Sequence, residues 1–311
     1  MDFSFIVIGK NESNNLNRCF SSIVDFGKVN NLVFEIVYVD SQSTDNSLEI
    51  ARSWKEVKPI VLGGTCNAAK ARNLGASNAK GDYFIFADGD MIVYPEFGKR
   101  AILKKKLIYP FLNGHRIDVF YDIDGRCIGD SKSHFDGNLK DEYVIATGGL
   151  FAIQAQLWRD MGGMNSTLAC FEDIDLAYRI FRKKKMKVLK IGAFFAEHHT
   201  INYTDKKRFF EMAHGNYFLF KGLIFRKNIF SKLFYPLLIK NHSFTILLLT
   251  IICLIITFNP YFLLLYLLAM FVKVSMIKVS PETMSRTGRF FIDMYIDIKT
   301  LYGFLFFIPS K

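Results

Sequence analysis

Over residues 3–90, short apolar runs alternate with patterns of helical spacing. The runs 3–8, 34–39, 59–62 and 83–87 are rich in Val, Ile, Phe and Tyr, and each predicts a buried strand. Between the first two, Leu16, Cys19, Phe20, Ile23 and Val24 recur on one helix face, so residues 14–26 predict a helix. After the second run, Ser43, Thr44 or Asp45 is expected to cap a helix that turns Leu48, Ala51 and Trp54 inward. A third helix over 68–79 leads into "YFIFADGD". Repeated β-α-β units predict a parallel sheet covered on both faces. Ligands of such sheets bind beyond the carboxyl ends of the strands.

Residues 108–143 read as irregular. Within them "VFYDIDGRCIG" alternates around Asp124-Gly125, a hairpin signal, which makes Asp122 and Asp124 turn residues. "ATGGLFAI" follows, apolar behind Gly148 and Gly149, then a short helix over 154–161 and the loop "MGGMN". In "CFEDIDLAYRIFRKKK", Glu172 and Asp173 open a helical pattern with Ile174, Ala177, Tyr178 and Phe181 on one side. Acid at its start and base at its end suit the helix dipole, so helix capping alone accounts for these acids.

Beyond residue 203 the pattern changes. Residues 206–240 mix basic residues with Phe, Tyr and Leu, as in a segment lying on a membrane. Residues 243–272 carry no charge, and Asn259-Pro260 interrupts them near the middle. The stretch is longer than one span of about 20 residues and short for two. It is flanked by Lys232 and Lys240 before, and by Lys273, Lys278, Arg286 and Arg289 after. A helical hairpin over 243–277, fully spanning or re-entrant, is expected, with its basic flanks on the cytoplasmic side. In the amphipathic tail over 290–308, Asp293 and Asp297 lie four apart, opposite many aromatics.

Composition sharpens this picture. Half of the 311 residues are hydrophobic and the net charge is +11. The basic residues cluster beside the apolar C-terminal segments, so an anionic membrane explains them better than nucleic acid. Five scattered cysteines without a CxxC pair argue against a zinc site or a disulfide framework, and fit a reducing compartment. The opening "MDFSFIVIGKNES" has Asp2 and only a short apolar run, so no targeting segment is expected there.

The chemistry-bearing candidates converge. Asp40, Asp88 and the loop "GKNES" all fall at carboxyl ends of expected strands. The chain resembles the family 2 glycosyltransferases of the GT-A fold from residue 5 to about 199. "FIVIGKNESNNLNRCFSSI" is similar to the family's opening strand, loop and helix, with Asn11 and Glu12 kept and Ile8, Gly9 and Lys10 departing. "VYVDSQSTDNS" keeps only Asp40 of the family's nucleotide-binding stretch. "AKARNLGASNAKGDYFIFADGD" matches most closely, and "TGGLFAI", "MGGMN" and "FEDIDLAYRI" resemble the acceptor region. Four motifs in family order are a specific signal; one DxD alone is not.

The resemblance implies a Rossmann-like, mostly parallel α/β catalytic domain over 1–204, with a nucleotide half 1–90 and an acceptor half 91–204. A helical membrane-associated region, 205–311, follows. It implies Asn11, Glu12, Asp40, Arg72 and Asp88 around the donor nucleotide, and Mg²⁺ or Mn²⁺ on Asp88 and Asp90, with His198 or His199 as a further ligand. Such cations bind through one or two carboxylates plus phosphates and water. Gly148 and Gly149 fall in the acceptor region, and Asp173 is expected to be the general base, with Glu172 beside it. One base facing the anomeric carbon implies inversion. The expected activity is transfer from a nucleotide sugar to a hydroxyl of a glycan or lipid-linked acceptor in surface polysaccharide synthesis, at the cytoplasmic face of a membrane. A polyprenyl-phosphate acceptor, or an inactive membrane scaffold, are the alternatives.

Overall fold

The computed structural model describes residues 1–122, 124–132, 138–201, 206–276 and 285–309. The chain divides into two compact units, Met1–Asn202 and Tyr203–Lys311. The expected boundary at residue 204, the hairpin's last residue 277, Lys278 and Ile123 lie outside the described residues.

Unit 1 opens with β1 (Phe3–Gly9), α1 (Leu16–Val29), β2 (Phe34–Asp40), α2 (Ser47–Ser53), β3 (Val57–Val61), α3 (Ala68–Asn78) and β4 (Tyr83–Asp88). The expected strands and helices appear here within a few residues. Strands β3, β2, β1 and β4 lie side by side and parallel. Alternate side chains of β1 serve opposite faces: Phe3, Phe5 and Val7 pack with Phe20, Ile23 and Phe26 of α1, whereas Ile6 and Ile8 face the other core. That two-sided burial is why the runs are apolar throughout rather than alternating. The cap of α2 differs from expectation. Asn46 occupies the cap position without a side-chain bond, and Asp45 Oδ1 instead accepts the Ser47 N–H at 3.0 Å.

The second half of unit 1 contains β5 (Met91–Val93), α4 (Pro95–Ala101), a two-residue ladder of β6 (Ile102–Leu103) and β7 (Lys106–Leu107), and β8 (Phe111–Tyr121). After these come β9 (Cys127–Asp130), β10 (Glu142–Val144), β11 (Phe151–Gln154), α5 (Ala155–Asp160), α6 (Glu172–Lys184) and β12 (Val188–Ile201). Among the described residues ten strands form one mixed sheet, with the path β10-β12-β8-β11-β4-β1-β2-β3. Residues 108–143 are therefore not irregular throughout. They hold β8, an 11-residue strand in the middle of the sheet, parallel to β12 and antiparallel to β11. The hairpin around Asp124-Gly125 joins β8 to β9, and Gly125 sits at φ 80°. The buried face of α6 also differs from expectation: Leu176, Ala177 and Ile180 are buried, whereas Ile174 and Phe181 are half-buried.

Unit 2 is helical: α7 (Lys206–His214), α8 (Tyr217–Asn228), α9 (Phe234–Lys240), α10 (His242–Thr257), α11 (Phe262–Ser275) and α12 (Arg286–Leu305). Helices α8 and α12 meet at Gly222 and Gly303, where a Cβ on either would collide with the other's backbone. No single helix among the described residues is long and apolar enough to cross a membrane. The pair α9 and α10 reaches that length and composition only together, bent by 108°. The aspartates of α12, Asp293 and Asp297, are 2% and 3% exposed, and Phe291, Ile298 and Tyr302 face outward.

Candidate active site

Three carboxyl strand ends meet in unit 1. The loop after β1 is tied to the loop after β2: the backbone N–H groups of Asn11, Glu12 and Ser13 donate to Ser43 Oγ, Ser47 Oγ and Asp45 Oδ2 at 2.9, 2.8 and 3.1 Å. Asn11 adopts φ 59° there, and its Oδ1 accepts the Thr44 N–H at 2.8 Å. Asp40 is buried, with Oδ1 on Tyr38 Oη at 3.2 Å and Oδ2 on the Ser43 N–H at 2.9 Å. In this arrangement Asp40 shapes the loop.

Asp88 ends β4, and Asp90 follows across Gly89. A Cβ on Gly89 would stand 3.1 Å from Leu16 Cδ2 and 3.2 Å from Glu12 Cγ, so glycine keeps this turn against α1. Asp90 Oδ2 lies 3.2 Å from His198 Nε2, and His198 Nδ1 lies 2.8 Å from Asp118 Oδ1 on β8. Burial alone would lower the His198 pKa, but Asp118 and Asp90 override it and push it up to about 9. Asp90 Oδ1 is buried with no hydrogen-bond partner among the described residues. Glu12 stands close by, and burial, reinforced by the negative charges of Asp90 and Asp88 against a bond from Asn15, pushes it up to about 7.

This donor set fits a divalent cation. An orphaned carboxylate oxygen, an imidazole oriented by a second carboxylate, and crowded negative charge are what a hard cation with outer support requires. Among the described residues no three His, Cys, Asp or Glu side chains converge closely enough to hold a metal unaided. Phosphates and water would have to complete the shell. The two expected histidines separate because neighbours on a strand face opposite ways. His198 turns to Asp90; His199 Nδ1 pairs with Tyr121 Oη at 2.9 Å.

Arg72 of α3 joins the two halves of the site. It is 3% exposed, and its guanidinium reaches Asp88 at 2.7 Å and Glu172 at 2.8 Å. Gly149 leaves the space for it, since a Cβ there would stand 2.5 Å from Arg72 Nη2; around Gly148 that space is open. Burial raises the pKa of both Glu172 and Asp173, with Arg72 pulling each back down. Asp173 is half-buried and accepts the Ile174 N–H on Oδ1 at 2.7 Å. The cap position of α6 is Phe171 in the left-handed region, φ 63°, so neither acid is its capping side chain.

Asp122 and Asp175 bond to neighbouring chain rather than to Asp88 or Asp90. Asp122 Oδ1 accepts the N–H groups of Asp124 and Arg126 at 3.0 and 2.8 Å, as a turn residue does. Asp175 is 4% exposed and holds Arg179 at 2.7 Å. Arg179 in turn donates to the carbonyls of Met161 and Gly163 at 2.8 and 2.7 Å. The "MGGMN" loop is fixed from its other side by Asn73, whose Nδ2 donates to the Met164 carbonyl and whose Oδ1 accepts the Met164 N–H. Asp118, Asn73 and Arg179 were not expected from the sequence. Asp118 sits in a strand that read as irregular, and the other two act on backbone far away in the chain.

Comparison with known proteins bears on the fold and on the N-terminal stretch. Residues 4–106 match the model of the family described as glycosyl transferase family 2. A poly(ribitol-phosphate) beta-glucosyltransferase of Bacillus spizizenii is 29% identical over 161 residues, 47% of this chain and 24% of that protein. The matched stretch is thus a minor part of that relative. Among solved structures, residues 1–349 of TarS from S. aureus align over 98% of this chain and 90% of that one, with a TM-score of 0.54 at 15% identity. GalNAc-T7, solved with UDP, GalNAc and Mn²⁺, aligns over 64% and 43% with a TM-score of 0.50 at 19% identity. These two likenesses concern the fold. Fold and family match fall on the same unit: residues 4–106, within the N-terminal unit, are similar to the glycosyl transferase family 2 model.

Proposed function

We propose that the chain is an inverting glycosyltransferase that moves a sugar from a nucleotide diphosphate to a hydroxyl of a glycan or lipid-linked acceptor, as in the making of a surface polysaccharide. The observation that carries this reading is the chain Asp88–Arg72–Glu172. One buried arginine couples the donor-side acid pair to the acceptor-side Glu-Asp motif, so both belong to one crevice. A divalent cation, Mg²⁺ or Mn²⁺, would be held by Asp90 and His198, with Asp88 adjacent. When bound it supplies Lewis-acid stabilisation of the departing diphosphate. The chain's own groups do the rest. Asp118 orients His198, Arg72 fixes Asp88 and Glu172, and Asp173 takes the proton of the attacking hydroxyl. We further propose attachment to the cytoplasmic face of a membrane through unit 2, on the support of its exposed apolar helices and basic residues.

The test is a titration of a panel of nucleotide sugars with and without Mn²⁺, against wild type and Asp90→Asn. Uridine diphosphate sugars head the panel, because TarS was solved with UDP and with UDP-GlcNAc. Metal-dependent donor binding and transfer are expected in wild type, and loss of both in the variant. Normal metal-dependent turnover by Asp90→Asn would reject the assignment of this acid pair.

A further inference from the structure

Unit 2 has a half-open cavity of about 740 Å³ between α8, the end of α9, the start of α10, α11 and the first half of α12. Its lining is of two chemical kinds. Four cations, Lys221, Lys240, Lys273 and Arg289, line it together with two carboxylates, Asp293 and Asp297. Asp293 takes Lys273 at 3.0 Å and Arg289 at 2.9 Å, from two different helices. Asp297 accepts the Tyr266 hydroxyl at 3.1 Å. The carboxylates thus position the cations but leave an excess of positive charge. The first turn of α10 contributes His242 and Ser243 to the lining, with no side chain capping its amides. The remaining wall is apolar: Ile246, Leu265, Leu268 and Val272 line it, and Leu265 and Leu268 are themselves more than half exposed.

We propose that this cavity binds one anionic membrane phospholipid. Its phosphate would sit among Lys221, Lys240, Lys273 and Arg289, and its acyl chains would run along α10 and α11. The volume lies within the range of ligand pockets and is far larger than a phosphate ion needs. The apolar wall, continuous with the exposed faces of the hairpin, has no use for a free anion. A bilayer lipid is the one phosphate source that supplies hydrocarbon at the same point. The inference rests on membrane attachment of unit 2 and adds lipid selectivity to it.

The experiment uses the full chain, purified in mild detergent, and vesicles of phosphatidylcholine alone or mixed with phosphatidylglycerol. Native mass spectrometry is expected to find one phosphatidylglycerol retained, not displaced by inorganic phosphate. The double variant Lys221→Gln, Lys240→Gln leaves the Asp293 cluster intact. It is expected to weaken retention and the preference for anionic vesicles by about tenfold or more. A control that removes two exposed lysines of unit 1, Lys28→Gln with Lys55→Gln, keeps both. Equal binding to both vesicle types, with no retained lipid, overturns the lipid site and leaves membrane attachment standing. Displacement by inorganic phosphate also overturns it, in favour of a free-anion site. Binding to neither vesicle type overturns attachment and site together.

Discussion

Asp173 is the residue on which the proposed chemistry turns, and its surroundings make a pH-dependent prediction. Burial raises its pKa, Arg72 opposes, and the negative charge of Asp88 adds to the rise, with Glu172 next to it in the chain. A base works only when deprotonated. Turnover should therefore fall as pH drops through the raised pKa, at higher pH than an ordinary aspartate would set. Asp173→Asn keeps the size of the side chain and the oxygen that accepts the Ile174 N–H. It should lower transfer to a hydroxyl acceptor by about 10²–10⁴-fold, erase that acid limb and leave donor affinity nearly unchanged. Turnover and donor titrations across pH check this. Transfer that survives the substitution would point to an acceptor needing no base, such as a lipid phosphate.

At the scale of elements, α6 carries more than the reactive pair. Asp175, two residues beyond Asp173, reads from the sequence as one more first-turn acid and an indifferent position. In the fold it anchors Arg179, which holds the carbonyls of Met161 and Gly163. Gly162 and Gly163 there take left-handed φ, 69° and 67°, which glycine reaches without strain, so Arg179 holds a turn that the glycines make possible. Asp175→Ala would leave a partly buried guanidinium unpaired. It should cost roughly 2–3 kcal/mol, below the loss for a fully buried pair because Arg179 keeps some solvent. A denaturant melt reads this, and a change within error would mean that the loop stands without Arg179. The same contrast shows what the sequence could carry. The strands and helices of residues 3–90 were legible because one period repeats and both sheet faces are apolar. Asp88, Asp90, Arg72 and Glu172 were legible as motif residues, and His198 only as one of two neighbouring histidines. Strand β8 was not, because its Asn113, His115, Arg116 and Asp118 interrupt the apolar pattern. Those interruptions include the carboxylate that orients His198, so what hid the strand also supports the site.

At the scale of the whole molecule, both units bury aromatics and some charged groups, and they differ in how much apolar surface they expose. Unit 1 buries its aromatics, with Phe3, Phe5, Phe84, Phe86 and Phe151 all fully enclosed. Unit 2 buries Asp293, Asp297 and Thr300, and exposes Phe230, Ile256, Phe258 and Tyr261, the last two at 87% and 73%. An apolar surface of that extent marks a contact face, and the proposed membrane attachment gives it a partner. Helix α10 has 16 residues and so extends about 24 Å, short of the roughly 30 Å of a bilayer's hydrocarbon. Under the proposed membrane attachment, a hairpin of α10 and α11 that enters and returns on one side would accommodate that length and leave Lys240, Lys273 and Arg289 at the headgroups. Apolar burial is not screened by salt, whereas surface charge pairing is. The full-length protein should therefore sediment with membranes, stay there through a high-salt wash and be released by detergent. Replacing Ile256 and Phe258 together by Ser removes apolar contact at the far end of the hairpin without touching any charge. It should shift a measurable fraction of the protein to the salt-released supernatant. Complete release of the unaltered protein by salt alone would mean that the basic residues hold it at the surface and that the hairpin does not insert.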